Sequence, residues 1–333
     1  MKKLAKRFVG LTCAIVLAVS SFGMETFALT IGDTSWVTNV EVKWQNPTEI
    51  VSTETQEKQF IMSTKTNKGR VNNLYFSFPA EGGVRFHADD TGFWNPEESS
   101  VITYTSEGAA IVMQANDTKV KVYTTASPWR FEVYNAEGEM VIWYLADDMY
   151  FGYDEKGNLS KVKIASEVDE YETLFGLGER FSGLAQNGKT VEMWNYDSFS
   201  QLRRSYGDQN VGYKNIPILH SNNGYTVFHN NTYYGVVDVA DSKKDECSFE
   251  FNSSILDMYV WTGSTLENID SYCDLTGSSI TVPKDMLSYW AGQAQARWYA
   301  NGKEPETVLN TVKTTVEKYA MPEKSSATGG FFM

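Results

Sequence analysis

From residue 119 the chain reads KVKVYTTASPWRFEVYNAEGEMVIWYL, and its apolar positions recur at every second residue. Val120 and Val122 alternate with lysines, and Phe131 and Val133 alternate with Arg130, Glu132 and Tyr134. A period of two turns one side of an extended chain to a core and the other to water. NAEG (135–138) is a turn sequence between two such runs, so the spacing predicts a hairpin whose returning strand is MVIWYL. The same pattern predicts a second hairpin in YFGYDEKGNLSKVKI (150–164), turning at Lys156-Gly157-Asn158. It predicts a third in GYTVFHNNTYYGVVDV (224–239), turning at Asn230-Asn231. Repeated hairpins from residue 29 to about 283 indicate a mostly β fold, an antiparallel β-sandwich.

The period changes after residue 263. STLENIDSYCDLTG (264–277) reads as a short helix, with Ser264 and Glu267 as a capping box and Gly277 as its stop. Leu266, Ile269, Tyr272 and Cys273 are its expected apolar face. MLSYWAGQAQARW (286–298) follows Pro283 as an expected strand. EPETVLNTVKTTVEKYAMP (304–322) then carries Val308, Leu309, Val312, Val316 and Tyr319 on one side of a helix, with Pro305 in its first turn. A strand followed by a helix is one β/α unit. Such a unit cannot bury its own apolar faces and belongs in a larger α/β array.

The first residues follow a different logic. Lys2, Lys3, Lys6 and Arg7 precede an apolar run from Phe8 to Val19, and small residues place a cleavage point near Gly23 or Ala28. This is the form of a secretory signal peptide, and the run is short for a membrane span. The expected organisation is therefore a signal peptide over 1–28, a β-sandwich over 29–283 and a β/α segment over 284–333. The expected location is outside the cell, with no membrane association after signal removal.

Formal charge is −13 with no basic block, which argues against nucleic acid or an anionic membrane as partner. The chain holds 19 Tyr, 18 Phe and 9 Trp. These residues form good strands, and their faces also suit the apolar C–H surfaces of sugar rings. Cys247 and Cys273 remain after signal removal, and whether they pair is open. His87, His220 and His229 are scattered. FHADD (86–90) sets His87 near two carboxylates, but that spacing reads as a solvated loop rather than a metal site. No metal or other cofactor is expected.

FGLGERFSGLAQNGKTVEMWNYDS (175–198) raises the question of chemistry. Its glycines at 176, 178 and 183 match neither G-x-G-x-x-G nor a phosphate-binding P-loop. The stretch is followed by YKNIPILHSNNGYTVFHNNT (213–232), then by the helix ending in YCDLTG, then by VPKDMLSYW. This ordered succession resembles the N-terminal region of glycoside hydrolase family 31, the retaining α-glucosidases, α-xylosidases and related transglucosidases. GLGER, W-N-x-D, Y-K-N-I-P and Y-x-x-L-T-G occur in that order in the family. The resemblance is clear from about residue 171 to 310 and weaker over 70–170, and NGKTVEMWN leans toward the α-xylosidase branch.

The resemblance implies a galactose-mutarotase-like sandwich followed by the start of a (β/α)8 barrel, here incomplete. It implies an oligosaccharide or glycoside as partner and a two-carboxylate retaining mechanism. The nucleophile and the acid/base of the family sit on later barrel loops, so both are expected beyond residue 333 and no catalytic residue within the chain. The chain is thus expected to be a truncated, inactive portion of such an enzyme. Asp197, closing WNYD, matches a position from which family members reach over the barrel mouth to bind substrate. Trp298, in QARWY, matches a strand end where an aromatic lines the sugar pocket. Arg180 is expected to pin the Asp197 loop through hydrogen bonds. The alternative is a non-catalytic secreted β-sandwich that binds carbohydrate. Oligomeric state, sugar, linkage, and hydrolysis versus transfer are left open.

Overall fold

The computed structural model describes residues 40–89, 99–180, 182–195 and 214–282. The expected signal peptide, Asp197, Trp298, and the strand and helix expected over 286–298 and 304–322 lie outside these residues. The chain divides into two units after Thr276. All the elements described below belong to the first, and of the second only 277–282 is described, without regular secondary structure.

Nineteen strands, numbered in chain order, form three antiparallel sheets among the described residues. The first sheet runs β1 (Lys43–Gln45), β11 (Met149–Tyr153), β12 (Leu159–Glu167), β18 (Glu246–Phe251), β17 (Gly235–Val239), β14 (Lys189–Met193). The second runs β10 (Met140–Leu145), β9 (Arg130–Tyr134), β8 (Thr118–Tyr123), β7 (Ala110–Ala115), β6 (Thr103–Glu107). The third has eight strands. They are β13 (Leu174–Gly176), β15 (Ile218–Ser221), β16 (Tyr225–His229), β19 (Leu256–Thr262), β5 (Val84–Asp89), β4 (Val71–Ser77), β3 (Gln59–Lys65) and β2 (Glu49–Thr55). The fold is the mostly β, antiparallel sandwich that the alternation predicts.

The core lies between the third sheet and the other two. Phe131 of β9 sits 5.1 Å from the Phe76 ring of β4 and 5.0 Å from that of Phe86 on β5. His229 of β16 stacks 4.1 Å from Phe249 of β18. Fully burying each Phe side chain of this kind contributes about 1.5–3 kcal/mol. In β8, Val120 and Val122 point inward while the intervening lysines stay partly exposed, because the pleat sends alternate side chains to opposite faces. Glu132 of β9 lies on the polar side and is nonetheless covered, receiving hydrogen bonds from Arg130 Nε at 2.9 Å and the Tyr134 hydroxyl.

Two of the three hairpins form as expected. β9 and β10 pair around Asn135–Gly138, and β11 and β12 pair around Asp154–Asn158. The third does not. β16 pairs with β15 and β19, whereas β17 pairs with β14 and β18 in the other sheet. Residues 230–234 are a corner at which the chain changes sheets, and β18 to β19 crosses back beside it. The two corners are tied by the Asn252 amide donating to the Tyr234 carbonyl at 2.9 Å.

The helix α1 (Thr265–Thr276) starts with the expected capping box: the Ser264 amide donates to Glu267 Oε2 at 2.9 Å, and the Glu267 amide to Ser264 Oγ at 3.4 Å. Its buried side is only partly the expected one: Tyr272 packs on the core as expected, and Leu266 and Ile269 do not. Leu266 is 75% exposed and Ile269 36%, while Asn268 is buried. Tyr272 and Leu275, the next positions along that side, pack on Ile218, Phe228, Tyr259 and Trp261. The helix stops at Gly277, as expected.

Candidate functional site

The GLGER stretch is built by backbone that ordinary residues avoid. Gly176, Leu177 and Gly178 have φ of +135°, +66° and +89°. The fold holds Leu177 there because its side chain is fully buried and its amide donates to the Ile218 carbonyl at 2.8 Å. At Gly178 a Cβ would lie 2.0 Å from the Lys214 carbonyl oxygen, so only glycine lets the two segments approach this closely. The Glu179 amide then donates to that carbonyl at 2.9 Å. GLGER thus runs against the KNIP segment that leads into β15.

Side chains lock the same junction. Arg180 donates from Nε to the Leu177 carbonyl at 3.0 Å, from Nη2 to the Glu192 carbonyl at 3.4 Å, and from Nη2 to Asn215 Oδ1. Asn215 in turn donates to Asn195 Oδ1 from its side chain at 2.7 Å and from its amide at 2.8 Å. Three motifs far apart in sequence, GLGER, the WN of WNYD and the KN of YKNIP, therefore meet at one point. Asn195 and Lys214 flank the segment that carries Asp197, two residues beyond Asn195. The Glu179–Lys214 ion pair at 3.2 Å is exposed at both ends and adds little.

Beside this junction lies an open cleft of about 450 Å³. It is lined by Trp194, Asn195, Asn215 and Ile216 of the junction, by the corner from Asn230 to Tyr233, and by Phe228 and Tyr272 among others. The sequence pointed to Asn230-Asn231 only as a hairpin turn and to Tyr272 only as part of a helix's apolar face, not to either as part of a site. HNNTYY looks like a hairpin turn, and its only warning is an unusual run of amides and aromatics.

Asn230 is anchored from beneath. Its Nδ2 donates to Asp257 Oδ2 at 2.9 Å, and Arg85 grips both oxygens of the same carboxylate at 2.6 Å. His87 is part of this cluster: it is buried on β5 with Nδ1 3.5 Å from Asp257 Oδ1. The solvated-loop reading of FHADD is therefore wrong at His87, because β5 continues through it. Burial alone would raise the Asp257 carboxyl, but the His87 ring and the Arg85 guanidinium outweigh it and hold the group below the usual carboxylate range. Cys247 and Cys273 are both free thiols, which closes the question of their pairing within this structure.

Residues 24–238 match the model of the glycosyl hydrolase 31 N-terminal galactose mutarotase-like domain. The chain belongs to glycoside hydrolase family 31. The part of family 31 present here is the N-terminal portion. The isomaltosyltransferase of Sporosarcina globispora is 24% identical over 291 residues, covering 84% of this chain and 25% of that enzyme. The α-xylosidase XylQ of Lactiplantibacillus pentosus is 29% identical over 163 residues, 49% of this chain and 20% of that enzyme. In structure, the cycloalternan-forming enzyme of Listeria monocytogenes, solved with a pentasaccharide substrate, superposes with a TM-score of 0.69. The identity is 21%, covering 83% of this chain and 26% of that one. That likeness shows a shared fold. The chain spans a quarter or so of the length of these family 31 relatives.

Proposed function

We propose that this chain serves a secreted retaining α-glycosidase or transglucosidase acting on α-glucosides or α-xylosides, as the domain that helps hold the sugar. The observation that carries this reading is the Arg180–Asn215–Asn195 junction, which fixes both flanks of the segment bearing Asp197. A carboxylate there can accept two sugar hydroxyls at once. In this reading Arg180 is a positioning residue, Asp197 binds substrate, and Trp298 lines the sugar pocket. Residues 1–28 direct export, 29–283 form the sandwich, and 284–333 begin a (β/α)8 barrel. The nucleophile and the acid/base come from the rest of that barrel, so the residues of this chain bind and orient while the barrel's carboxylates break the bond. The named activities of the relatives, α-xylosidase and isomaltosyltransferase, support the substrate class.

The test is turnover of 4-nitrophenyl α-glucoside and α-xyloside by the purified chain, alone and joined to a family 31 barrel. The chain alone is expected to release no nitrophenol above blank, and the joined form to release it. Robust turnover by the chain alone would overturn the assignment of the carboxylates, and a folded, inactive joined form would overturn the enzyme reading.

A further inference from the structure

Three Asn-Gly steps occur in the chain, at Asn187-Gly188, Asn223-Gly224 and Asn301-Gly302, and the third lies outside the described residues. In this dipeptide an asparagine side chain is most open to attack by the main chain. Glycine has no Cβ to crowd its own amide nitrogen, and its backbone turns freely toward the asparagine Cγ. With the same dipeptide at two described places, the fold decides which one reacts.

Asn187 is held at every group the reaction needs. Its Oδ1 accepts from the Leu174 amide at 2.8 Å, and its Nδ2 donates to the Glu172 carbonyl at 3.0 Å. The attacking group, the Gly188 amide, donates to the Val239 carbonyl at 2.7 Å. Lys189 then begins β14, which pairs with β17, so opening this step breaks into the sheet.

Asn223 is the reverse. It lies exposed in the short turn 222–224 between β15 and β16, followed by Gly224 with φ of +80°. Its side-chain amide makes no hydrogen bond to another described residue. The Gly224 amide donates to the Ser221 carbonyl at a long 3.3 Å. Asn222 anchors the turn by accepting from the Thr173 amide at 2.7 Å, which leaves the next side chain free on a turn that stays in place.

We propose that Asn223 is a site of self-modification, converting to aspartate and isoaspartate in the folded chain while Asn187 is preserved. The Gly224 nitrogen gives up its proton and bonds to Asn223 Cγ. The Cγ–Nδ2 bond breaks, and ammonia leaves with that proton. Water then opens the resulting cyclic imide. Cleavage of the new Cγ–N bond gives aspartate; cleavage of the original peptide C–N bond gives isoaspartate, which routes the main chain through the former side chain. Either product adds one negative charge to the β15–β16 turn.

The experiment incubates the full chain in mildly alkaline buffer at body temperature, both folded and in urea. Samples taken over days are mapped by peptide mass spectrometry, with chromatography to separate aspartate from isoaspartate. In the folded chain Asn223 should convert at least tenfold faster than Asn187, whose step must first break three hydrogen bonds. In urea the two rates should converge, because the fold alone separates them. Asn223→Gln should abolish the more acidic species that accumulates on ion exchange. An intact Asn223 in the folded chain, equal folded rates at the two sites, or rates in urea as far apart as in the folded chain would each overturn the proposal.

Discussion

Asn195 accepts two hydrogen bonds from Asn215, 20 residues further along the chain, through the single atom Oδ1. The pair closes the base of the Asp197 segment, and Arg180 orients it by occupying Asn215 Oδ1. With that oxygen taken, the Asn215 amide nitrogen is the group that faces Asn195. Removing the guanidinium should therefore loosen both flanks at once.

Arg180→Ala should cost about 2–3 kcal/mol, since it deprives three acceptors of a charged donor. Arg180→Lys should recover less than half of this, because an ammonium cannot span the fork. Urea unfolding of the three proteins measures both values. A loss within a few tenths of a kcal/mol for Arg180→Ala would show that the junction does not depend on it.

Gly178 and Gly183 share a φ of +89° but differ in their surroundings. A Cβ on Gly183 would meet nothing within 4 Å, whereas one on Gly178 would strike the Lys214 carbonyl. Gly183→Ala should cost about 1–2 kcal/mol from its backbone alone. Gly178→Ala should cost more than about 3 kcal/mol, or prevent folding. Comparable losses in thermal unfolding would contradict the close approach of GLGER to KNIP.

The sequence pattern made strands and caps legible, and made partners illegible. NAEG and the Asp154–Asn158 turn lie between strands that return alongside one another, so local spacing was enough. Asn230-Asn231 has the same appearance, but β16 is buried along its whole length and pairs with β15, the strand just before it, and with β19, some 30 residues further on, rather than with the strand that follows the turn. Periodicity reports which face is apolar and says nothing of which strand lies beside it. The helix misled for a related reason: Leu266 and Ile269 outrank Asn268 in hydropathy, yet Asn268 is the residue turned inward. At the site, the ordered motifs marked GLGER, WN and KNIP. Their meeting at Asn215, and the cleft beside it, depend on contacts between distant segments that no local pattern encodes.

His229 should make the fold acid-sensitive. Neither ring nitrogen has a hydrogen-bond partner among the described residues, and burial pushes its pKa down to about 3, partly offset by Asp257. The unfolded value is about 6.5, so the native state excludes a proton that the unfolded chain binds. This contribution is fully present above pH 6.5 and declines as pH falls toward 3, by about 4–5 kcal/mol at the limit. His220, also lowered by burial, acts in the same direction. Asp257 contributes only lower, below the ordinary Asp value of about 3.9, because its native pKa is depressed. His229→Phe, which can keep the stack on Phe249, should flatten the fall in stability between pH 6.5 and 4. Parallel stability profiles for the two proteins would refute this.

Asp257 ties Arg85 and Asn230 together beneath the cleft. Asp257→Ala should destabilise by about 3–5 kcal/mol, because it removes the carboxylate that the largely buried Arg85 guanidinium grips with two hydrogen bonds. Asp257→Asn should cost less, as one acceptor survives. Denaturant midpoints give the comparison, and an effect below about 1 kcal/mol for Asp257→Ala would show that the pair contributes little.

The fixed junction should deliver Asp197 to the sugar. The most direct measurement is KM and kcat for 4-nitrophenyl α-glucoside or α-xyloside, using the chain joined to a family 31 barrel, with and without Asp197→Ala. The variant is expected to fold and its KM to rise at least tenfold, since a bond to sugar hydroxyls is lost while the barrel's carboxylates remain. Unchanged KM and kcat would contradict it.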